Sequence, residues 1–321
     1  VTRRRARFRG RIDGAWRYHA QMHRSSFAGF ACTLLVIGGI PGCSSVDVAT
    51  GGAASTSSNT ATATTTTSGM QTSTGTASST SSTSTGASSS SGGSGLASCA
   101  IVPLYAYPSD GTTWSALAAA AAAHPSVEVV AIVNPDSGPG QAADPAFTDG
   151  IAALQAAKIR VVGYVPTNYG MKTVATVNGD TDDYVAFYPG IDGIFFDEMS
   201  ADPAHVSKYS AFGSHAQAVT GGLTIGNPGT GVTAGLLTTM ERVVVFENPG
   251  LPSAMELDAA TSGFGRDKFA ILPYEVPTLD PGFVASALAH VRCVYITDDA
   301  EPNPWDSLPP YFDALLGALE P

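Results

Sequence analysis

A (β/α)8 barrel over residues 99–321 is the fold class that the sequence predicts, and three observations predict it. Apolar, β-rich runs alternate with helix-like segments eight times within about 220 residues, the repeat of such a barrel. The runs are near-continuously apolar, as expected of strands in a parallel sheet covered on both faces. Their C-terminal ends are polar, acidic or aromatic and their N-terminal ends are blander, and a barrel carries its chemistry at the C-terminal ends of its strands. A doubly wound open sheet is the runner-up. That fold favours a Gly-rich turn after its first strand, whereas the first run here ends in Tyr105-Ala106-Tyr107-Pro108-Ser109-Asp110.

The elements follow in order. A first strand over 100–107 leads to an Ala-rich helix over 114–123 that opens on Thr112-Thr113. A second strand, 127–134, precedes a helix over 145–157, with Asp144 at its N-cap and Pro145 at its first position. The third strand, 160–165, precedes a short helix over 180–188. The fourth, 193–197, precedes a long helix over 203–219, opened by Asp202-Pro203. Strands over 223–227, 243–247, 269–275 and 291–297 alternate with helices over 233–240, 253–260, 281–289 and 306–319.

Two further regions precede the barrel. Residues 1–42 hold eight arginines, then an apolar run over 27–40, then Pro41-Gly42-Cys43. The run is shorter than the roughly 20 residues of a spanning helix and has the size and positive flank of a signal-peptide core. Ile40-Pro41-Gly42-Cys43 resembles a bacterial lipobox, so Cys43 is the expected lipidation site; an ordinary secretory signal and an uncut anchor are the alternatives. Met22 is a candidate true start, because residues 22–42 alone have the three-part signal architecture. Residues 43–98 are rich in Ser, Thr, Gly and Ala and carry no charge after Asp47. Such a composition cannot bury enough apolar surface to offset its ordering entropy, so this region reads as a tether. The expected location is the cell envelope, at the outer membrane or cell surface, reached by export and held through the lipid.

Charge narrows the partners. The chain has 16 Lys+Arg and 27 Asp+Glu. Without the eight Arg and one acid of residues 1–42, eight basic and 26 acidic residues remain, net −18. That surface repels phosphate backbones and disfavours nucleic acid as a partner; a neutral or cationic polymer is compatible. Of four cysteines, Cys99 lies in the first strand and Cys293 in the last. An exported protein retains disulfides, and closure of first strand on last would bring the two together; two buried thiols are the alternative. A monomer is expected.

Chemistry concentrates at the strand ends. Asp192-Gly193-Ile194-Phe195-Phe196-Asp197-Glu198 is an apolar strand that stops at two carboxylates, and a later strand stops at Glu247-Asn248. A buried carboxylate is costly unless paired or used. Strand alternation puts Asp197 and Glu198 on different sides, which gives them different tasks. Strands four and six stand about 10 Å apart at the backbone, so their side chains converge to the roughly 5–9 Å of paired glycosidase carboxylates. Tyr105, Tyr107, Tyr164, Tyr169 and Tyr274, with Asn134, Thr167 and Asn227, occupy the same strand ends and are candidate sugar-binding residues. No paired-His metal pattern, nucleophile elbow or P-loop is present, and no metal or cofactor is expected.

These segments resemble a known family. Val102-Pro103-Leu104-Tyr105-Ala106-Tyr107-Pro108, Asn134-Pro135-Asp136-Ser137-Gly138-Pro139-Gly140, Gly163-Tyr164-Val165-Pro166-Thr167-Asn168-Tyr169-Gly170, the acidic strand 192–198, Asn227-Pro228-Gly229-Thr230 and Val245-Phe246-Glu247 are similar, in order and spacing, to the spherulin-4-like proteins, classed as glycoside hydrolase family 135. The resemblance implies a (β/α)8 barrel and hydrolysis of α-1,4-linked N-acetylgalactosamine-containing exopolysaccharide. It places the family's Asp-Glu pair on Asp197 and Glu198 and its later Glu on Glu247. Two routes stay open: Asp197 as nucleophile with Glu247 as acid and base, or assistance by the substrate's acetamido group with Glu198 as acid and Asp197 orienting that group. A carbohydrate-binding surface protein without catalysis is the alternative function.

Overall fold

The computed structural model describes residues 97–108 and 111–321; the lipobox with Cys43, Met22 and the tether up to residue 96 lie outside the described residues. Eight parallel strands close in sequence order: β1 Cys99–Leu104, β2 Glu128–Val133, β3 Arg160–Pro166, β4 Gly193–Asp197, β5 Leu223–Gly226, β6 Arg242–Phe246, β7 Phe269–Ile271 and β8 Cys293–Val294. The helices α1 Thr113–Ala123, α2 Pro145–Ala156, α3 Val174–Phe187, α4 Val206–Thr220, α5 Ala234–Leu237, α6 Ala254–Thr261, α7 Pro281–Ala287 and α8 Phe312–Leu319 alternate with them. This is the (β/α)8 barrel. All six residues of β1 are buried, as the continuous apolar runs required.

Local chemistry sets the boundaries. Asp144 caps α2 by accepting from the Ala146 N–H, with Pro145 at the start. Helix α3 begins at Val174 rather than at 180, because the Thr173 hydroxyl accepts from the Thr176 N–H and starts it earlier. Helix α8 begins at Phe312 rather than at 306: Pro309 and Pro310 intervene, lack N–H donors and disfavour helical geometry before them. Two glycines let layers meet. A Cβ on Gly163 would lie 2.6 Å from the Tyr184 ring of α3, and one on Gly193 (φ +149°) would lie 2.0 Å from the Leu223 carbonyl oxygen of β5.

Closure is cross-linked at the N-terminal rim. Cys99 and Cys293 are register partners of β1 and β8 and form a disulfide, Cα–Cα 4.4 Å, across 194 residues of sequence. Beside it Glu128 accepts from Arg292 at 2.7 Å, Arg242 at 2.9 Å and Arg160 at 3.2 Å. Burial alone would raise the Glu128 pKa; Arg242, Arg292 and Arg160 outweigh it and leave that pKa lowered. The N-terminal strand ends are therefore not bland, as the sequence suggested. Their charges are single residues far apart in the chain, and only closure gathers them.

Candidate active site

Strand β4 aims its first carboxylate inward. Phe196 stacks on Phe212 of α4, in the outer layer, whereas Phe195 stacks on Tyr164 of β3. Asp197 shares the side of Phe195, so it faces the barrel interior at its C-terminal mouth, where it is 7% exposed. The strand ends there. Glu198 adopts φ +52°, a conformation costly for a residue with a side chain. Alternation thus stops at Asp197, and Glu198 is directed by a turn instead. The Glu198 Oε2 accepts from the Asn168 N–H at 3.0 Å, and its carbonyl accepts from the Tyr169 N–H at 2.7 Å.

A polar relay behind the pair holds that turn. The Ser200 N–H donates to the Tyr209 hydroxyl at 2.7 Å, and the Tyr209 and Thr167 hydroxyls lie 2.9 Å apart. Thr167 Oγ1 donates to the carbonyls of Asp197 (2.9 Å) and Glu198 (2.7 Å). Because the Thr167 proton goes to those carbonyls, Tyr209 donates to Thr167. Both residues are fully buried. Thr167, a sugar-binding candidate by sequence, thus braces the carboxylate-bearing turn from behind. Tyr209 carried no sequence signal, because a tyrosine in a helix reads as packing.

Asn227, just past β5, joins the two acidic strands. Its Nδ2 donates to Asp197 Oδ1 at 2.8 Å and to Glu247 Oε2 at 2.5 Å, and its Oδ1 accepts from the Gly229 N–H. Both carboxylate oxygens contact one nitrogen, so they lie at most about 5.3 Å apart, compatible with the roughly 5–5.5 Å separation of retaining glycosidases and short of the roughly 6.5–9.5 Å of inverting ones. The amide is buried and fixed at both ends, so the spacing is built into the fold. The Glu247 N–H bonds the Gly229 carbonyl at 3.2 Å, and Gly229 turns at φ +64° against the Glu247 side chain.

Aromatic residues surround this centre unequally. Burial and then the adjacent Asp197, which also accepts a hydrogen bond from it, push the Tyr164 hydroxyl pKa up, so it stays a proton donor. Burial, then Asp197 and Glu247, do the same for Tyr105, whose ring meets Tyr164 edge-on at 5.6 Å. Tyr169, 42% exposed, feels Glu198, Asp197 and Glu247 in that order after its own partial burial. Tyr274 is pushed up to about 12 by burial, then Glu301 and Glu247, and packs edge-on against Trp305. Trp305 was not singled out in the sequence; its carbonyl accepts from the Tyr105 N–H, which seats it at the mouth. Tyr107 stands apart, donating to Asp144 at the start of α2. Asn134 accepts from the Gly138 N–H and locks the loop after β2. The structure therefore gathers Asp197, Glu198, Glu247, Asn227, Tyr105, Tyr164, Tyr169 and Tyr274, and leaves Tyr107, Asn134 and Thr167 in supporting positions.

Comparison with known proteins bears on this arrangement. Spherulin-4 of Physarum polycephalum is 41% identical over 152 residues, covering 47% of this chain and 45% of that protein; the match thus spans less than half the length of that curated relative. Among solved structures, the Sph3 protein of Aspergillus clavatus, crystallised in complex with GalNAc, superposes with a TM-score of 0.64 at 25% identity, covering 70% of this chain and 98% of Sph3. The family model described as spherulation-specific family 4 matches residues 100–319, which is nearly the whole barrel and more than half of the chain. On that match the chain belongs to the spherulin-4 family.

Proposed function

We propose that the chain is a glycoside hydrolase that cleaves an exopolysaccharide containing α-1,4-linked N-acetylgalactosamine. The observation that carries this reading is the Asn227 bridge, which holds an oxygen of Asp197 and one of Glu247 within about 5.3 Å of each other, compatible with a retaining site. The GalNAc bound to the related Sph3 supports the sugar class.

In the first step Asp197 Oδ attacks the anomeric carbon, and Glu247 donates its proton to the departing glycosidic oxygen. The C–O bond breaks and a glycosyl ester of Asp197 forms. In the second step water attacks the anomeric carbon, Glu247 takes the water's proton, and Asp197 leaves as a carboxylate. Asn227 holds the two carboxylates in register. Tyr164 donates to Asp197 and lowers its charge density until attack. Glu198, fixed by the Asn168 N–H, orients the bound sugar, and Tyr169 and Tyr274 offer ring faces to the polymer. The site works at the surface of the cell envelope, the protein being exported and held through a lipid on Cys43; Cys43→Ala is expected to move it from the membrane fraction to the soluble one.

The test is reducing-end release from a panel of polysaccharides, with the first-formed anomer read by NMR. The expected result is release from α-1,4-GalNAc-containing polymer, with α-configured ends. Binding without release from any polymer favours a carbohydrate-binding surface protein instead, and β-configured ends exclude Asp197 as nucleophile.

A further inference from the structure

Three consecutive residues beside the acidic centre are left-handed: Asn168 (φ +49°), Tyr169 (φ +51°) and Gly170 (φ +78°). Asparagine and glycine tolerate that region, whereas a tyrosine enters it at a cost and stays only where its surroundings fix it. The turn is tied to Glu198 twice: the Asn168 N–H donates to Oε2 at 3.0 Å and the Tyr169 N–H to the carbonyl at 2.7 Å. It also closes on itself, the Met171 N–H donating to the Asn168 carbonyl at 2.8 Å. Tyr169, which it carries, is the most exposed of the tyrosines gathered at the mouth.

Helix α4 supplies further support from one face. His205, the residue before it, and Lys208, Tyr209 and Phe212 within it stand at i, i+3, i+4 and i+7, the spacing of a single helical stripe. Phe212 stacks on Phe196 of β4, and Tyr209 braces the turn at Glu198 through Thr167 and Ser200. The other two reach the turn over 168–170. Lys208 is partly buried, and its ammonium donates to the Gly170 carbonyl at 2.5 Å, across 38 residues of sequence. The His205 ring lies 2.9 Å from the Ser200 hydroxyl through Nδ1, and a Cβ on Gly170 would stand 3.0 Å from that ring. The stripe thus serves both left-handed turns, Tyr209 the one at Glu198 and Lys208 with His205 the one that carries Tyr169.

We propose that Lys208 is a positioning residue for substrate binding: by holding the Gly170 carbonyl it fixes the left-handed turn that presents the Tyr169 ring to a sugar of the polymer. The inference rests on the hydrolase reading, in which Tyr169 contacts the polymer. After its own partial burial, Glu198, Asp197 and Glu247 all raise the Tyr169 hydroxyl pKa, so a sugar on its ring adjoins the acidic centre. A small misplacement of such a platform costs binding even though the residue that causes it touches no substrate.

Steady-state kinetics on the α-1,4-GalNAc-containing polymer test it. Lys208→Met removes the donor and keeps much of the side chain's length, and Lys208→Arg keeps a donor. Gly170→Ala keeps Lys208 and drives a Cβ against the His205 ring. Contact with a sugar ring is made alike in ground and transition states, so Lys208→Met is expected to raise KM about tenfold with kcat within about twofold of wild type. Gly170→Ala should give the same signature, and Lys208→Arg a KM within about threefold of wild type. In a Tyr169→Ala background Lys208→Met should raise KM by less than about threefold, since the platform that it positions is gone. A merely structural residue, when lost, reduces the folded fraction, which lowers apparent kcat and leaves KM unchanged. That result in Lys208→Met, or a rise in KM that persists undiminished in the Tyr169→Ala background, overturns the inference and leaves the hydrolase reading standing. Wild-type protein that releases no reducing ends overturns the hydrolase reading, and the positioning role with it.

Discussion

At one rim of the barrel a single carboxylate, Glu128, serves Arg160, Arg242 and Arg292, next to a disulfide that ties β1 to β8. At the other rim Asp197 and Glu247 share one amide, Asn227, and Glu198 is held in a left-handed turn beside them. Opposite charges meet in the first arrangement; in the second, carboxyl groups are gathered around a neutral amide. Buried ion pairs with good hydrogen bonds are costly to break once built, whereas crowded carboxylates repel and lower stability. The N-terminal rim is thus organised for closure of the fold. On the hydrolase reading proposed above, the C-terminal rim gives up stability for chemistry.

The contrast can be broken at either end. Glu247→Gln should reduce polymer turnover by about 10²–10⁴-fold, the range of a lost general acid, with little change in Tm; a protein that keeps turnover removes Glu247 from the mechanism. Glu128→Ala should destabilise the barrel by about 3–5 kcal/mol, since three arginines then lose their buried partner; urea unfolding measures this. The pH dependence has a definite sign. The folded pKa of Glu128 is lowered, so its contribution is present above the ordinary Glu value of about 4.3 and is lost as pH falls through the folded value. The stability gap between wild type and Glu128→Gln should therefore close below about pH 4. Cys99→Ser with Cys293→Ser should cost about 2–4 kcal/mol and leave kcat near wild type, because the crosslink lies at the opposite rim; a large fall in kcat would mean that the two rims are coupled. Tyr209→Phe, which removes the acceptor of the Ser200 N–H and the donor to Thr167, should cost about 1–3 kcal/mol and lower kcat more than it raises KM.

Much of the C-terminal rim was legible in the sequence. An apolar run that halts at Asp197-Glu198 signals a strand end, and the eightfold alternation locates that end in the barrel. Strand alternation predicts different sides for Asp197 and Glu198; in the structure the strand ends at Asp197 and a left-handed turn directs Glu198 instead. The bridging role of Asn227 was not legible, because the sequence shows an amide at a strand end without its partners. Thr167 and Tyr107 look alike in sequence to true mouth residues; burial of the first and the Asp144 partner of the second distinguish them. The charge cluster of the N-terminal rim was not legible. Glu128, Arg160, Arg242 and Arg292 are isolated charges, and closure alone brings them together. Cys99 and Cys293 gave that rim its one signal, since a first and a last strand must meet in a closed barrel.

The central claim is that the C-terminal carboxylates are placed for chemistry and not for the fold. Asp197→Asn tests it most directly, since the amide keeps the shape and its oxygen still accepts from Asn227. Thermal unfolding and turnover of the α-1,4-GalNAc-containing polymer are measured on the same preparation. The account predicts that turnover falls by about 10³-fold or more while Tm is unchanged or higher. A variant that unfolds at a clearly lower temperature, or one that retains wild-type turnover, would contradict it.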